Sequence, residues 1–403
     1  MKKRVSAALF AVLMLTAVFC GCIKDPNAGT DNSKKYGAAV DFEGVPHEVS
    51  VFFVNVGKAD CAIVNIDGHT WLVDCGTEES FISTCAALEL MGVSVIDGVI
   101  LTHGHSDHVG GLVPIAQKYA VGKIVTSALL TDSAKIDSAA DEIGVIVTTA
   151  KAGDEIAITD GVLFEAVAPE THNSDNDNDN SLVLMLRVNG RRFLFTGDMQ
   201  AAEDNILVSS RRDISCDVLK TPNHGNPDAV SEVFAKAARP LISIISTDTT
   251  VDSDSANRQV MAKLAMSEIY ITQQYPLGVL VTVSPRGEIT LSFPERPAAA
   301  ETAVEIAEAS KEHQSFTVVN NGSAEADISG MFVCSTKGGE VFVFPKGTVI
   351  EAGGKLTVAC KKSDIADGAD FIWNRKKVWA ENKTDYAVLC DAYGNELSRK
   401  LSE

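Results

Sequence analysis

The stretch that most restricts the fold is LTHGHSDHVGG, residues 101–111, where the apolar run DGVILT ends in a cluster of ligand-type side chains. The chain has eight histidines, and three of them lie with one aspartate within six consecutive positions: His103, His105, Asp107 and His108. A His-x-His pair places two imidazoles on one side of an extended segment, and imidazole with carboxylate suits Zn, Mn, Fe, Co or Ni. A polar surface loop is the alternative. The concentration of histidine at the end of a buried strand favours a metal site.

The surrounding pattern predicts two domains. Runs such as VSVFFVNV, CAIVNI and TWLVD indicate antiparallel strands at the start of the first block, and later strands alternate with helical segments such as ESFISTCAALELMG. This alternation predicts a layered mixed α/β or α+β domain. The stretch PERPAAAETA, residues 294–303, interrupts it. The short strands that follow, among them SFTVVN, EVFVFP and KLTVAC, predict a small all-β sandwich.

Residues 1–22 have the features of a secretory signal. A basic start, KKR, precedes the apolar run VSAALFAVLMLTAVF, which is too short for a comfortable membrane span. The following GC resembles a bacterial lipobox, so we expect Cys22 to be lipidated and to anchor the chain on the extracellular face of the cell membrane. Simple secretion is the alternative. Residues 23–46 are then predicted to form a polar, flexible tether.

Charge and cysteine usage limit the partners and the means of stabilisation. The formal net charge is −19, and −16 of it lies in residues 1–302. A domain this acidic is not a natural docking surface for a polyanion, which counts against nucleic acid. Of the nine cysteines, two belong to the signal and the others mostly stand singly in apolar runs, without a CxxC pair. We expect them to be small buried side chains rather than disulfides.

The stretch HGHSDHVGG resembles the H-x-H-x-D-H motif of the metallo-β-lactamase-fold hydrolases, and further motifs of that family follow in its order. WLVDCG supplies Asp74 at a strand end, RRFLFTGDM supplies Asp198, and DVLKTPNHGN supplies His224. The resemblance covers about residues 48–294 and implies an αββα sandwich, within an overall α+β fold. Within this superfamily, FFVNVGKADCAIVNIDGHTWLVDCG, NDNSLVLMLRVNGRRFLFTGD and LKTPNHGN resemble the soluble hydrolase domain of ComEC-type DNA-uptake proteins.

The resemblance implies two divalent ions, with zinc as the first choice and manganese as the alternative. The implied ligands are His103 and His105 for one ion, Asp107, His108 and His224 for the other, and Asp198 as the bridge between them. Asp74 would orient a ligand or a loop rather than bind metal, with a plain strand-end turn as the alternative. A hydroxide between the ions would attack a phosphodiester. The implied catalytic residues are Asp107, Asp198 and Asn180.

The sequence departs from the family pattern at two places. Relatives read His-His-Gly-Ser at the last motif, whereas here Asn223 replaces the first His and Asn226 replaces the Ser. This weakens any proton-shuttle role for that position. The third His motif, expected upstream of the bridging aspartate, is also missing. Asn180 stands near its place, so the first ion would be held weakly, and His172 is the alternative ligand.

The stretch DNDNDN, residues 175–180, offers a row of oxygen ligands. It lacks the glycine at the sixth position and the acid at the twelfth position that an EF-hand calcium loop needs. We therefore predict a solvated loop of the active site, with Asn180 and Ser181 reaching the metal centre.

The C-terminal stretches ADISGMFVCS, VFVFPKGTVIEAGGKLTVAC and AVLCDAYGNEL resemble the lamin-tail domain, an immunoglobulin-like β-sandwich, with Met331 where Trp is common. The predicted boundaries are 47–294 for the hydrolase domain, 295–303 for the linker and 304–403 for the lamin-tail domain. The stretch NRKKVW, residues 374–379, places three basic residues between two tryptophans. This stretch could contact nucleic acid, the cell wall or another protein, and a charged strand edge is the alternative.

Three functions are compatible with these features. The first is a lipid-anchored extracellular phosphodiesterase or nuclease that acts on DNA through a metal-bridging hydroxide. The second is the same enzyme acting on a cell-wall polymer or on small phosphodiesters. The third is a weakened metallohydrolase that serves as a surface binding module. The likeness to DNA-uptake proteins and the lamin-tail domain favour DNA, whereas the acidity of the chain opposes it.

Overall fold

The computed structural model describes residues 33–40, 42–299 and 301–403. The predicted signal at residues 1–22, the lipidation site at Cys22 and the first part of the predicted tether lie outside these residues. Within the described ranges, no helix combines the length and the apolar character that crossing a membrane requires.

The first domain contains two large β-sheets that pack face to face, and β5 and β7 form a small third sheet. Its strands are β1 Lys34–Tyr36, β2 Val49–Val54, β3 Ala62–Ile66, β4 His69–Val73, β5 Val95–Ile96, β6 Gly98–Leu101, β7 Ala120–Val121, β8 Ile124–Ser127, β9 Val147–Ala150, β10 Glu155–Thr159, β11 Val162–Ala168, β12 Val183–Val188, β13 Arg191–Phe195, β14 Val218–Lys220, β15 Ile242–Ile245, β16 Glu268–Ile271, β17 Gly278–Val283 and β18 Ile289–Ser292. Its helices are α1 Phe81–Leu90, α2 Ser106–Val109, α3 Leu112–Lys118, α4 Ala134–Ile143, α5 Ala201–Ser209, α6 Glu232–Ala238 and α7 Arg258–Lys263.

In the described part of the chain, one sheet has the order β1-β18-β17-β2-β3-β4-β6-β8-β9 and the other has the order β10-β11-β12-β13-β14-β15-β16. Strands β2, β3 and β4 pair antiparallel, as the opening runs predict. Strands β4, β6, β8 and β9 run parallel to one another, and so do β13 to β16. Each sheet therefore combines an antiparallel part with a parallel part whose strands all end at one edge.

The alternation of side chains along the strands explains the layering. In β2, Val51 and Phe53 face the core between the two sheets, whereas Phe52 and Val54 face the helices α1 to α4. Successive side chains of a strand point to opposite faces, so a strand that is apolar throughout is covered on both sides. A third apolar cluster joins the second sheet to α5, α6 and α7. The four layers are therefore helix, sheet, sheet and helix, and the predicted αββα architecture is confirmed.

The second domain is an all-β sandwich, as predicted. Its strands are β19 Val304–Ser310, β20 Ser315–Asn320, β21 Ala326–Asp327, β22 Phe332–Ser335, β23 Val341–Val343, β24 Val349–Ile350, β25 Lys355–Cys360, β26 Phe371–Trp373, β27 Tyr386–Cys390 and β28 Glu396–Leu401. The two main sheets have the orders β19-β20-β25-β26 and β23-β22-β27-β28.

The two domains share an apolar core. Phe332 of β22 contacts Phe81 of α1 with ring centroids 6.3 Å apart, and both side chains are buried. Cys334 and Cys390 belong to the same cluster, which extends to the helices of the first domain. Gln117 of α3 accepts a hydrogen bond from the backbone of β23 at 2.8 Å. The sandwich therefore covers one outer face of the helix layer.

The tether is shorter than predicted. Lys34–Tyr36 pairs antiparallel with β18 at the edge of the first sheet, and Tyr36 packs against the inter-sheet core. The guanidinium of Arg191 donates a 2.5 Å hydrogen bond to the carbonyl of Ala38. Residues 34–38 of the predicted tether, which covers residues 23–46, are therefore held against the first domain. The polar composition of this segment gave no sign of strand β1, which lies at the edge of the sheet and packs on the core through Tyr36.

The tryptophans beside the basic stretch are not exposed. Trp373 and Trp379 are 4% and 0% exposed, and both belong to the core of the sandwich. The indole Nε1 of Trp379 donates to the Ser315 carbonyl at 3.0 Å. Arg375 forms an ion pair with Glu142 of the first domain at 2.5 Å. A small sandwich needs large side chains to fill its core, so an aromatic recognition surface at residues 374–379 is excluded.

The cysteines behave as expected. The seven cysteines in the described ranges are buried, and none of them forms a disulfide bond. Burial raises the pKa of the Cys85 thiol to about 12 and that of the Cys61 thiol to about 12 as well. These thiols are packing groups.

Candidate metal centre

The residues singled out in the sequence follow strands that end at one edge of the domain. Asp74 follows β4 and His103 follows β6, which are parallel neighbours in the first sheet. Asp198 follows β13 and His224 follows β14, which are parallel neighbours in the second sheet. The carboxyl ends of parallel strands meet at the same edge, which is where open α/β sheets bind ligands. The two sheets thus present their functional loops to each other.

Four side chains converge there: Asp107, His108, Asp198 and His224 offer ligand atoms that all lie within 4.8 Å of one another. The Oδ2 atom of Asp198 is 3.3 Å from His108 Nε2 and 3.2 Å from His224 Nε2. His224 Nε2 is also 3.4 Å from Asp107 Oδ2. The two imidazoles are fully buried, whereas Asp107 is partly exposed at the mouth.

The cluster fits a divalent cation. His108 Nε2, His224 Nε2 and Asp198 Oδ1 are buried and have no hydrogen-bond partner in the described part of the chain. Leaving one buried polar atom without a hydrogen bond costs about 1–3 kcal/mol, so three such atoms around one point favour bound positive charge there. Imidazole nitrogens with carboxylate oxygens are the donor set of zinc and related metals.

Asp74 holds His108 from the side that faces away from the cluster. His108 Nδ1 is 2.9 Å from Asp74 Oδ2. The backbone N–H and hydroxyl of Thr102 donate to the same carboxylate at 2.8 and 2.9 Å. A carboxylate on the far nitrogen fixes the orientation of a metal-ligating imidazole. This geometry is the one expected of a residue that orients a ligand.

His103 and His105 lie beside the four-residue cluster. His103 Nε2 is 3.0 Å from His105 Nδ1, and the rings of His103 and His108 have centroids 4.1 Å apart. His103 is buried, whereas His105 is exposed. The two imidazoles therefore lie next to the cluster without belonging to it, and their assignment to a second ion stays a prediction.

Asn180 is engaged in its own loop. Its Oδ1 accepts from the Asn173 N–H at 2.8 Å, and its Nδ2 donates to the Asn173 carbonyl and to Asp177 at 2.8 and 2.9 Å. These bonds stabilise residues 173–180 around a short 3₁₀ turn, Asp177–Asn180. Its structural role is clear from these contacts, and its assignment to the catalytic residues stays a prediction.

Ser181, next in the chain, does reach the centre. Its Oγ lies 3.4 Å from His103 Nδ1 and accepts from the Asp198 N–H at 3.2 Å. His172, the alternative ligand, is exposed and its Nδ1 bonds to the Leu129 carbonyl at 2.7 Å. His172 therefore stabilises the loop and does not join the cluster.

The carboxylates set the titration of the two buried imidazoles. Burial opposes protonation of His108, but Asp198 and Asp74 outweigh burial and raise its pKa well above the usual value. Burial likewise opposes protonation of His224, but Asp198 and Asp60 raise its pKa to about 9. The same imidazoles outweigh the burial of Asp198 and hold its pKa well below the ordinary range. The centre therefore attracts positive charge strongly, whether as protons or as a metal ion.

A strained backbone presents the last histidine. Asn223 and His224 have φ angles of 40° and 52°, in the left-handed region that most side chains avoid. Such residues cost about 1–3 kcal/mol each and occur mainly at functional sites. Asn tolerates this region better than most residues, so Asn223 suits the local backbone. The Asn223 N–H is held by the Gly197 carbonyl at 3.1 Å.

Sequence reasoning missed three charged residues around the centre. Lys58, half-buried at the mouth, has its Nζ 2.9 Å from Asp107 Oδ2. Asp60 and Lys220 form a buried ion pair beneath the cluster. The available signals were the charged KAD within the apolar run VNVGKADCAIV and the lone lysine in the buried strand VLK.

Comparison with known proteins agrees with this geometry. Residues 54–249 match the metallo-beta-lactamase superfamily and residues 297–400 match the lamin tail domain. The chain thus combines a metallo-beta-lactamase domain with a lamin tail domain, and the first of these supports a metal-dependent hydrolase in general.

Part of the chain is similar to individual proteins of known name. The first domain is 30% identical over 196 residues to ComE operon protein 3 of Bacillus subtilis, covering 48% of this chain and 25% of that protein. It is 26% identical over 208 residues to competence protein ComA of Neisseria gonorrhoeae, covering 51% and 28%. The chain therefore spans about a quarter of the length of these curated relatives. Among solved structures, the metallo-beta-lactamase fold protein YhfI of Bacillus subtilis aligns with a TM-score of 0.39 and 14% identity, covering 58% of this chain and 99% of that one.

Proposed function

We propose that the protein is a metal-dependent phosphodiesterase that cleaves DNA and is held on the extracellular face of the cell membrane by a lipid at Cys22. The observation that carries the proposal is the convergence of Asp107, His108, Asp198 and His224, whose ligand atoms all lie within 4.8 Å of one another. The likeness to two competence proteins supports DNA as the substrate.

The donor set suits zinc, with manganese as the alternative, and the residues described above would hold the ions. The main position would use the four converging side chains, and a weaker one would add His103 and His105. Divalent ions bound there would act as Lewis acids toward a phosphoryl oxygen and supply the nucleophile at neutral pH.

The other side chains of the centre would have two roles: some orient the metal-ligating imidazoles, and Lys58 would bind the substrate. Asp74 and Ser181 fix the rings of His108 and His103, so the metal-facing atoms are preorganised. Lys58, which lies at the mouth, would attract a phosphodiester oxygen. Burial opposes its protonation, but Asp107 outweighs burial and raises its pKa, so Lys58 carries its charge at neutral pH.

One observation favours a smaller substrate. Loops near the mouth carry acidic residues, among them the exposed Asp175 and the partly exposed Asp252, and the net charge is −19. A long polyanion meets repulsion from such a surface, whereas a small diester or a cell-wall phosphodiester enters the centre without covering it. We therefore keep phosphodiesters of these kinds as the second candidate.

A substrate panel tests the proposal. The metal-stripped mature chain is reloaded with Zn²⁺ or Mn²⁺ and incubated with single-stranded DNA, double-stranded DNA, RNA and bis-p-nitrophenyl phosphate. We expect metal-dependent DNA cleavage that falls at least about 100-fold in Asp198→Asn, while His69→Ala, a histidine far along β4 from the centre, keeps full activity. Cleavage of small diesters alone would support the second candidate. If the metal-loaded protein cleaves none of the four substrates, a role as a surface binding module is the remaining hypothesis.

A further inference from the structure

A buried ion pair lies beneath the four-residue cluster, and the proposed function gives it no role. Asp60 is 3% exposed in the turn between β2 and β3, and Lys220 is 5% exposed at the end of β14. Lys220 Nζ contacts Asp60 Oδ2. The pair lines a small cavity of about 10 Å³ whose other polar walls include Asp74, Gly197 and Ser246.

The Asp60 carboxylate lies under both metal-facing imidazoles. Its Oδ1 is 3.6 Å from His224 Nδ1 and its Oδ2 is 4.0 Å from His108 Nδ1. Each Nδ1 already has a closer partner, the Ser246 carbonyl at 2.9 Å in one case and Asp74 at 2.9 Å in the other. Asp60 is therefore not a second acceptor for either ring. The Asp60 carboxylate faces both imidazole rings at once, and the nearby Asp74 carboxylate repels it.

The backbone of Asp60 is bonded to the segment that carries Asp107, and its side chain meets the strand that leads to His224. The Asp60 N–H donates to the Asp107 carbonyl at 3.1 Å, and the Asp60 carbonyl accepts from the Gly76 N–H at 2.7 Å. Lys220 is the last residue of β14, immediately before the loop that carries His224. Asp60 lies in the turn that joins β2 and β3 of the first sheet, and Lys220 lies in the second sheet, so their contact connects the two sheets below the cluster.

A role in stability alone does not explain this placement. A buried ion pair is often no more stable than apolar side chains of the same volume, although removing one partner is costly because it leaves the other charge unpaired. We propose that Asp60 and Lys220 are positioning residues that hold the Asp107 and His224 segments at the separation a shared metal ion requires. The inference rests on the metal-binding part of the proposed function and not on its substrate.

The test measures metal affinity without any substrate. Zn²⁺ binding to the mature chain is measured by competition with a chromophoric chelator, and the thermal unfolding of the metal-free form is recorded alongside. The variants are Asp60→Asn, Lys220→Met, the double variant and Lys220→Arg. The matched control is the exposed pair Glu165→Gln with Arg187→Met, which joins β11 to β12 away from the centre.

We expect each single variant to bind Zn²⁺ about 10–100-fold more weakly, as loss of residues that orient ligands does elsewhere. The double variant removes the unpaired charge, so its metal-free form should regain thermal stability while its Zn²⁺ affinity stays low. The control pair should not change the affinity.

Two results would overturn the inference: a double variant that binds Zn²⁺ like the wild type, which would make the pair structural only, or single variants with unchanged affinity. If the single variants do not fold, the Zn²⁺ affinity of the double variant provides the test. Lys220→Arg, which keeps the positive charge, should bind Zn²⁺ with near wild-type affinity. A wild type that binds zinc but cleaves no diester would remove the proposed function and leave this inference standing. A wild type that binds no zinc would remove both.

Discussion

His224 Nε2 and Asp198 Oδ2 lie 3.2 Å apart at the ends of two neighbouring parallel strands, and each is buried. Neither His224 Nε2 nor the second oxygen of Asp198 has a hydrogen-bond partner in the described part of the chain. This relationship joins the fold to the chemistry, because the strands bring an imidazole nitrogen and a carboxylate oxygen, the donor types that bind zinc, to one buried point.

The first prediction concerns that pair. His224→Ala should lower hydrolysis at least about 100-fold and lower the affinity for the tightest metal ion, because it removes one of the four ligands. The circular dichroism spectrum should not change. His172→Ala, which affects an exposed histidine outside the cluster, is the matched control. Equal activity of the two variants would show that the chemistry occurs elsewhere.

Lys58 gives a prediction about substrate binding. Lys58→Met should raise KM for a phosphodiester about 10-fold and leave kcat within a few-fold, since a lost charge contact of about 1.4 kcal/mol that serves ground state and transition state alike changes KM alone. Lys58→Arg should restore most of the affinity. Steady-state kinetics at low and high salt provide the measurement. A fall in kcat without a change in KM would place Lys58 in the chemical step instead.

The shared core predicts that the two domains are stable only together. Phe332→Ala, which removes a buried ring that packs on Phe81, should lower the free energy of unfolding by about 3–5 kcal/mol. The melting curve should stay a single transition. The control is Ile372→Ala, a half-exposed side chain of the same sandwich. Independent melting of the two domains, with the hydrolase unaffected, would contradict the prediction.

Glu203 gives a pH dependence. Burial raises its pKa in the folded state from 4.5 to about 7, and its Oε1 has no partner within the described residues. Between these values the folded state holds a proton that the unfolded state has lost, so stability should fall as pH rises from about 4.5 to about 7. Glu203→Gln should remove about 1–3 kcal/mol of that loss, whereas Glu232→Gln on an exposed position of α6 should not. The free energy of unfolding is measured with denaturant at pH 5 and at pH 8. If it falls by the same amount in wild type and in Glu203→Gln, the raised pKa of Glu203 is refuted.

Much of the centre could be predicted because its residues stand directly after apolar strands. Strand ends are readable from local periodicity, and a cluster such as HGHSDH has few uses other than metal binding. Asp198 and His224 were predicted from the resemblance to the metallo-β-lactamase-fold hydrolases, whose motifs they match. The layered fold was predictable for the same reason, since strands that are apolar on both faces require cover on both sides.

The remaining features depend on contacts between distant parts of the chain. Asp60 and Lys220 meet across two sheets, and no local pattern connects residues so far apart in sequence. Asn180 has the composition of a ligand, but its amide is used by neighbours that only the folded loop brings near. Trp379 stands in a basic stretch and is nevertheless fully buried, because the packing of the small sandwich outweighs its local setting.

The most direct test of the central claim is the metal content of the purified mature chain, measured by plasma mass spectrometry after gel filtration, beside its Zn²⁺ titration. The proposed function predicts one tightly held ion per chain at the four converging side chains and a second, weaker ion that is lost first. It also predicts that Asp198→Asn loses the tight ion. A wild-type protein that retains less than one ion and binds zinc no better than Asp198→Asn would contradict the account.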